Sequence, residues 1–194
     1  MKRYDIINAF ISSRKYKDFL EIGTDRGETY YAVKAEVKVS VDPDPATNPT
    51  HCMTSDDFFA QNKAHFDIIF IDGLHECNQV YRDIRNALSC LAPGGTIILH
   101  DCIPTTEAMQ AHHDTSQSGY AWTGDVWKAF VKYRSESPYE TYTVNTDFGC
   151  GIIDTHLSKW SDTSVLPQDM DKMTYSDFAS HRNEWMNIKG GVLL

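Results

Sequence analysis

The chain has 194 residues, 41% hydrophobic and 23% charged, enough for one globular domain with a sizeable core and unlike a disordered or fibrous composition. A net charge of −9 counts against nucleic acid as the main partner, because phosphate binding needs clustered cations. No apolar run reaches the length of a membrane span, and no leader with a long apolar core opens the chain. The five cysteines (Cys52, Cys77, Cys90, Cys102, Cys150) lack C-x-x-C spacing and read as reduced thiols, so a cytoplasmic protein is expected.

Apolar runs of strand length then alternate with turns and helical spacing. "KDFLEIG" (17–23) runs into "TDRGETYYAVKA", and "VKVSVDPDP" (37–45) ends in a proline-rich turn that no helix crosses. "FDIIFIDG" (66–73) leads into "HECNQVYRDIRNALSCL", where Val80, Ile84, Ala87, Leu88 and Leu91 share one helical face. "GGTIILHD" (94–101) follows the Pro93-Gly94-Gly95 breaker. Continuous apolar strands alternating with helices predict an α/β fold, a doubly wound Rossmann-like sheet that is mostly parallel and covered on both faces. Residues 103–123 are polar and carry no period, as expected of a functional loop. "GDVWKAFVKYRSE" (124–136) reads as a helix with Val126, Phe130 and Val131 inward. "YETYTVN" and "GCGIIDT" read as an antiparallel hairpin at the sheet edge, turning at Thr146-Asp147-Phe148-Gly149, and the polar residues after it as a covering helical tail.

In open parallel sheets ligands bind beyond the carboxyl ends of the strands. The residues to collect there are Glu21-Ile22-Gly23, Asp42, Ser55-Asp56, Asp72-Gly73-Leu74-His75 and His100-Asp101, a set rich in acids. "EIGTDRGE" is a strand-to-helix turn in which Gly23 lets the backbone bend and Gly27 permits close approach. Asp25 stands where a dinucleotide fingerprint has its middle glycine, and would crowd a pyrophosphate. The same turn also reads as a plain link between strand and helix. Asp42 ends the second strand at roughly the 20-residue spacing of a ribose-binding acid. Alone it is equally a turn Asp before Pro43.

Together "FLEIGTDRG", "VDPDP", "FDIIFIDGLHE", "LAPGGTIILHDC" and "WTGDVWKAF" resemble class I S-adenosylmethionine-dependent methyltransferases. Within that class the chain is similar to a small bacterial group whose fourth strand ends in Asp-Gly-x-His and fifth in His-Asp. The likeness runs from about Tyr16 to Asp154. It implies one methyltransferase domain over 1–157, with 103–123 as its active-site loop and 158–194 as a helical tail. It implies that the turn holding Glu21, Gly23, Thr24 and Gly27, bordered by Asp72 and Gly73, takes the methionine part of S-adenosylmethionine. Asp42 would bind the ribose, and Ser55 and Asp56 would lie against the adenine. A turn with Glu21 and Asp25 suits an ammonium and a sulfonium better than a phosphate.

In the more distant catechol-type O-methyltransferases, acids after the fourth and fifth strands bind a divalent metal together with an Asn. Asp72 and Asp101 stand in the matching places here, but Cys102 replaces the Asn, and thiol is a poor ligand for magnesium. His75 or His100 would complete the site for a softer divalent metal. The two histidines also compete for the role of general base. His75 is otherwise a helix cap, and strand alternation points His100 away from the cleft, so His75 is the favoured base with Asp72 beside it. His112-His113-Asp114 looks like a metal cluster but reads as solvated loop. Tyr120, Trp122 and Trp127 line an acceptor pocket or simply pack, and Lys128 meets an anionic acceptor or solvent.

The expected activity is methyl transfer from S-adenosylmethionine to a hydroxyl of a small molecule, without nucleic acid or membrane as partner. Oligomeric state is open, a homo-oligomer included. Two rivals remain: an NAD(P)-dependent oxidoreductase on the same fold, and a non-catalytic cofactor-binding domain.

Overall fold

The computed structural model describes residues 1–111 and 121–194. Eight strands form one sheet in the order β3-β2-β1-β4-β5-β7-β6-β8. They are β1 (Asp18–Ile22), β2 (Val37–Asp42), β3 (His51–Cys52), β4 (Phe66–Ile71), β5 (Leu91–Leu99), β6 (Tyr139–Val144), β7 (Cys150–Ser158) and β8 (Ile188–Lys189). The first five pair in parallel; β7 runs antiparallel between β5 and β6, and β8 returns parallel to β6. The chain starts at β1, winds outward to β3, then crosses back to β4. The carboxyl ends of β1 and β4 therefore flank the point where the winding reverses, and a crevice opens there.

Among the described residues six α-helices cover the sheet: α1 (Arg3–Arg14), α2 (Glu28–Ala32), α3 (Ser55–Gln61), α4 (Cys77–Cys90), α5 (Val126–Glu136) and α6 (Tyr175–Trp185). Side chains alternate across the strands, so β4 feeds two cores. Ile69 and Ile71 join Val80, Ile84 and Ala87 of α4 and Phe130 of α5 on one face. Ile68 and Phe70 join Ile6, Ile7 and Phe10 of α1 on the other. Both faces are covered, as the continuous apolar strands predict.

Several elements differ from the sequence expectation. The Pro93-Gly94-Gly95 breaker lies inside β5, which begins at Leu91 and shifts register between Phe66 and Ile68 of its neighbour. A bulge absorbs the proline and the left-handed Gly94 (φ 76°) without ending the strand. The helix after the first turn is only five residues long. The tail does contain a helix, α6, but β8 follows it and pairs outside the hairpin. Trp127 is core: its ring lies 4.5 Å from Phe178 and 6.0 Å from Trp185, so it closes α5 against α6 rather than lining a pocket. All five cysteines are free. Among the described residues no helix is long and apolar enough to cross a membrane.

Candidate active site

The crevice is a cavity of about 800 Å³, a size that suits a nucleoside-sized ligand with a second small molecule. Its β1–β2 side is built from turns. Gly23 (φ 85°) must be glycine, since a Cβ there would stand 2.0 Å from the carbonyl oxygen of Asp72. That contact locks the ends of β1 and β4 together, with Asp72 N donating to Ile22 O at 2.8 Å. The Asp42 carboxylate accepts from the amides of Thr24 (2.8 Å) and Asp25 (3.2 Å) with one oxygen, and from Asp44 N (2.9 Å) with the other. It thereby tightens the glycine turn and still faces the cavity. Farther out, Gln79 of α4 donates to Ser55 Oγ at 3.2 Å and to Asp56 at 3.3 Å.

At the other end four side chains converge. His75 Nε2 stands 3.5 Å from Asp72 and 3.3 Å from Asp101, and its Nδ1 is 3.1 Å from the carbonyl oxygen of Trp122. The Trp122 ring lies 5.0 Å from the imidazole, and its Nε1 donates to Ala111 O at 2.8 Å. His100 Nδ1 is 3.3 Å from both Asp72 and Asp101, and its Nε2 is 3.8 Å from Asp147. Burial alone would raise Asp72, yet the imidazoles of His100 and His75 hold its carboxyl well below the usual range. Burial disfavours both imidazolium forms, but the carboxylates outweigh it: Asp72 and Asp101 raise His75, and Asp72, Asp101 and Asp147 raise His100 far above its ordinary value.

The cavity gathers Gly23, Asp42, Ser55, Asp56, Asp72, Gly73, His75, His100 and Asp101 of the predicted set. Glu21, Thr24 and Gly27 sit beneath or behind the turn instead. Glu21 is buried with one carboxylate oxygen unpartnered, as is the hydroxyl of Thr24, among the described residues. Burial and the nearby Asp72 charge push Glu21 up to about 8. His100 does not point away from the cleft. Alternation puts it on the Ile98 face, beside Phe70, and that face opens where α1 begins with Arg3 rather than with an apolar residue. Lys128 does not line the cavity; its ammonium lies over Trp127 at 5.7 Å. His112, His113, Asp114 and Tyr120 lie outside the described residues.

Sequence reasoning missed Arg3, Asp147, Phe148 and Gln79. Arg3 donates through its backbone N and its Nη1 to Asp147 Oδ2, both at 3.0 Å, and through Nε to Thr29 at 2.8 Å. His100 and Arg3 hold Asp147 well below the usual carboxylate range. No spacing rule could have paired residues at opposite ends of the chain. Asp147 was visible only as a turn residue.

One ligand atom each from Asp72, His75 and Asp101 fall within 4.8 Å of one another, close enough to share a divalent ion. The donor set, two oxygens and an imidazole, fits manganese, iron or zinc better than magnesium. Cys102 takes no part, being fully buried with its thiol toward the carbonyl oxygen of His100 at 3.5 Å.

Residues 20–102, the segment holding the glycine turn, Asp42, Asp72 and Asp101, match the family model described as a methyltransferase domain. That segment carries the likeness to a methyltransferase domain and spans a little under half of the chain. No curated protein matches the sequence significantly. Solved methyltransferase structures are similar in fold. The O-methyltransferase of Bacillus cereus, in complex with SAH, is 14% identical with a TM-score of 0.57, covering 78% of this chain and 80% of that one. TomG of Streptomyces achromogenes, an O-methyltransferase involved in tomaymycin synthesis and in complex with SAM, is 14% identical with a TM-score of 0.58 and 79% coverage of each chain. A caffeoyl-CoA O-methyltransferase assignment stands on a Staphylococcus aureus protein that is 17% identical, with a TM-score of 0.52 and coverage of 78% and 82%. At these identities the likeness is one of fold, and the fold is that of the class I methyltransferases, mostly parallel with antiparallel strands toward one edge.

Proposed function

We propose that this methyltransferase moves the methyl group of S-adenosylmethionine to a hydroxyl of a small molecule. The observation that carries the reading is the meeting, in one cavity, of a ribose-type acid (Asp42) and a carboxylate–imidazole cluster (Asp72, His75, Asp101). The cofactor supplies an electrophilic methyl on a sulfonium. In this reading Asp42 would take the ribose hydroxyls, and Ser55, Asp56 and Gln79 would lie against the adenine. From beneath the turn, the buried Glu21 carboxyl would set a negative potential under a cationic ammonium end, whose charge would in turn favour loss of the Glu21 proton. Residues 1–157 would form the working domain, with 158–194 as its covering tail.

Chemistry then needs the acceptor's proton removed while the two substrates are held in line. His75 is oriented for this: Nδ1–H donates to Trp122 O, leaving Nε2 aimed between Asp72 and Asp101, where a hydroxyl would enter. His100 is the poorer base, since three carboxylates keep it a fixed cation that neutralises Asp72 and Asp147. A divalent ion, where it binds, would be held by Asp72, His75 and Asp101 and would supply Lewis acidity to the acceptor oxygen.

The test is methyl transfer from labelled S-adenosylmethionine to a panel of hydroxyl acceptors across pH, with manganese or a chelator. Because His75 must be neutral and its pKa is raised, kcat/KM should climb with pH through an apparent pKa above the ordinary value of about 6.5. A flat profile without chelator sensitivity, shared by His75→Ala, would remove His75 from the reaction. Turnover abolished by chelator and restored by manganese would instead make His75 a ligand.

A further inference from the structure

The stretch "WTGD" (122–125) leads into α5, and its residues bear on His75 from several directions. Trp122 supplies the carbonyl oxygen that Nδ1 meets at 3.1 Å and a ring 5.0 Å from the imidazole. Gly124 (φ 56°) packs on the backbone of that same histidine, since a Cβ there would stand 1.8 Å from the His75 carbonyl oxygen. Asp125 comes next and does not line the cavity. It occupies the N-cap of α5, where an Asp side chain ordinarily accepts from the first turn of its own helix. Here it makes no such bond. Its carboxylate accepts instead from Cys77 N at 2.6 Å, the first residue of α4, 48 positions earlier in the chain. Glu76, at the N-cap of α4, does not cap that helix with its side chain, so Asp125 supplies the missing acceptor.

His75 stands two residues before the capped amide and is therefore pinned from two directions. The Asp125 cap fixes the chain that follows it, and Gly124 fixes its own carbonyl. The pinning segment is itself anchored. Thr123 N and Gly124 N donate to Met109 O at 2.9 and 3.0 Å, and Thr123 Oγ1 donates to the same oxygen at 3.0 Å. The consequence falls on the imidazole tautomer, because the hydrogen bond at one ring nitrogen decides the state of the other. A carbonyl oxygen can only accept, so Trp122 O selects the Nδ1–H form and leaves the Nε2 lone pair between Asp72 and Asp101. We infer that Asp125 is a positioning residue for removal of the acceptor's proton. By tying the start of α4 to the start of α5 it holds His75 against Trp122 O and so fixes Nε2 as the basic nitrogen. It acts through His75, and its chemical consequence rests on the methyltransferase reading.

The experiment uses the full chain with nitrogen-15-labelled histidine. Long-range proton–nitrogen correlations report the tautomer of the neutral His75 ring, with His75→Gln assigning its signals. Wild type should show the Nδ1–H form. Asp125→Ala should move His75 to a mixture dominated by Nε2–H, the preference of an unrestrained imidazole. Asp125→Asn should restore Nδ1–H, because its side-chain oxygen still accepts from Cys77 N. S-adenosylhomocysteine affinity, measured by calorimetry, should be the same in all three proteins. If Asp125→Ala does not fold, Asp125→Glu carries the test: the longer side chain keeps the charge but displaces the oxygen from Cys77 N, and the mixture should appear. A cap with a structural role alone would lower Tm in Asp125→Ala and leave His75 in the Nδ1–H form. That result, a mixture already present in wild type, or a mixture persisting in Asp125→Asn would overturn the inference. Failure of wild type to bind S-adenosylhomocysteine is a separate readout and would overturn the methyltransferase reading itself.

Discussion

The two sides of the cavity are assembled differently. The β1–β2 side is made of short segments folded on themselves: Gly23, Thr24, Asp25 and Asp42 meet through backbone amides separated by one strand–turn–helix unit. The β5 side is made of residues far apart in the chain. Arg3 reaches Asp147 across 144 positions, and His75 reaches Trp122 across 47. The first arrangement needs only turn chemistry and glycine geometry. The second exists only once the whole sheet is wound and α1 has docked, so its electrostatics belong to the fold rather than to any motif. That division suggests separate tasks, cofactor holding on the local side and acceptor handling on the assembled side.

The strongest way to break the comparison is at Asp72, which belongs to both sides. Its backbone locks against Gly23 and its carboxylate holds both histidines. Asp72→Asn should cut the rate of methyl transfer by about a thousandfold while near-native circular dichroism is kept, the scale expected when the carboxylate that holds the base His75 in place is lost. A loss below tenfold would make the carboxylate incidental. A smaller effect is expected for Arg3→Ala, which acts chiefly through Asp147 on the assembled side while its Nε also reaches Thr29 of α2. Removing a half-buried cation from Asp147 should cost about 2 kcal/mol in urea unfolding and weaken acceptor binding. Its effect on S-adenosylmethionine affinity should be slight, and an equal loss of both affinities would dissolve the division of labour.

An effect confined to the pH dependence of stability, with none expected on the acceptor side, is predicted at Glu21. With its folded pKa raised to about 8, the native state keeps a proton that the unfolded chain has lost. Stability from this group therefore falls as pH rises from its unfolded value of about 4.3 toward 8. Glu21→Gln should match wild type in Tm near pH 4 and exceed it increasingly up to about pH 8, then hold that advantage. A difference independent of pH would mean that the carboxyl is ionised when folded.

The same contrast explains what the sequence made legible. β1, β2 and β4 fall within the apolar runs quoted for them, because strands buried on both faces leave little ambiguity of length or register. The acids after β1, β2, β4 and β5 follow from the rule that parallel sheets bind at their carboxyl ends, and nearly all of them face the cavity. α1 went unread although Ile6, Ile7, Phe10 and Ile11 repeat at helical spacing, and Arg3 went with it. β8 is two residues long and has no period to detect. His100 obeyed alternation, but which face of the sheet opens onto the cleft is decided by where α1 starts, a tertiary fact. Phe148 drew no notice as one residue of a tight turn, although it lines the cavity.

The central claim is that the local side of the cavity holds S-adenosylmethionine through Asp42. It is tested most directly by calorimetric titration of S-adenosylmethionine, and of NAD as a control, into wild type and Asp42→Ala. Micromolar binding to wild type, at least about tenfold weaker in the variant and absent for NAD, is the expected result. No heat with S-adenosylmethionine, equal binding by the variant, or tighter binding of NAD would contradict it.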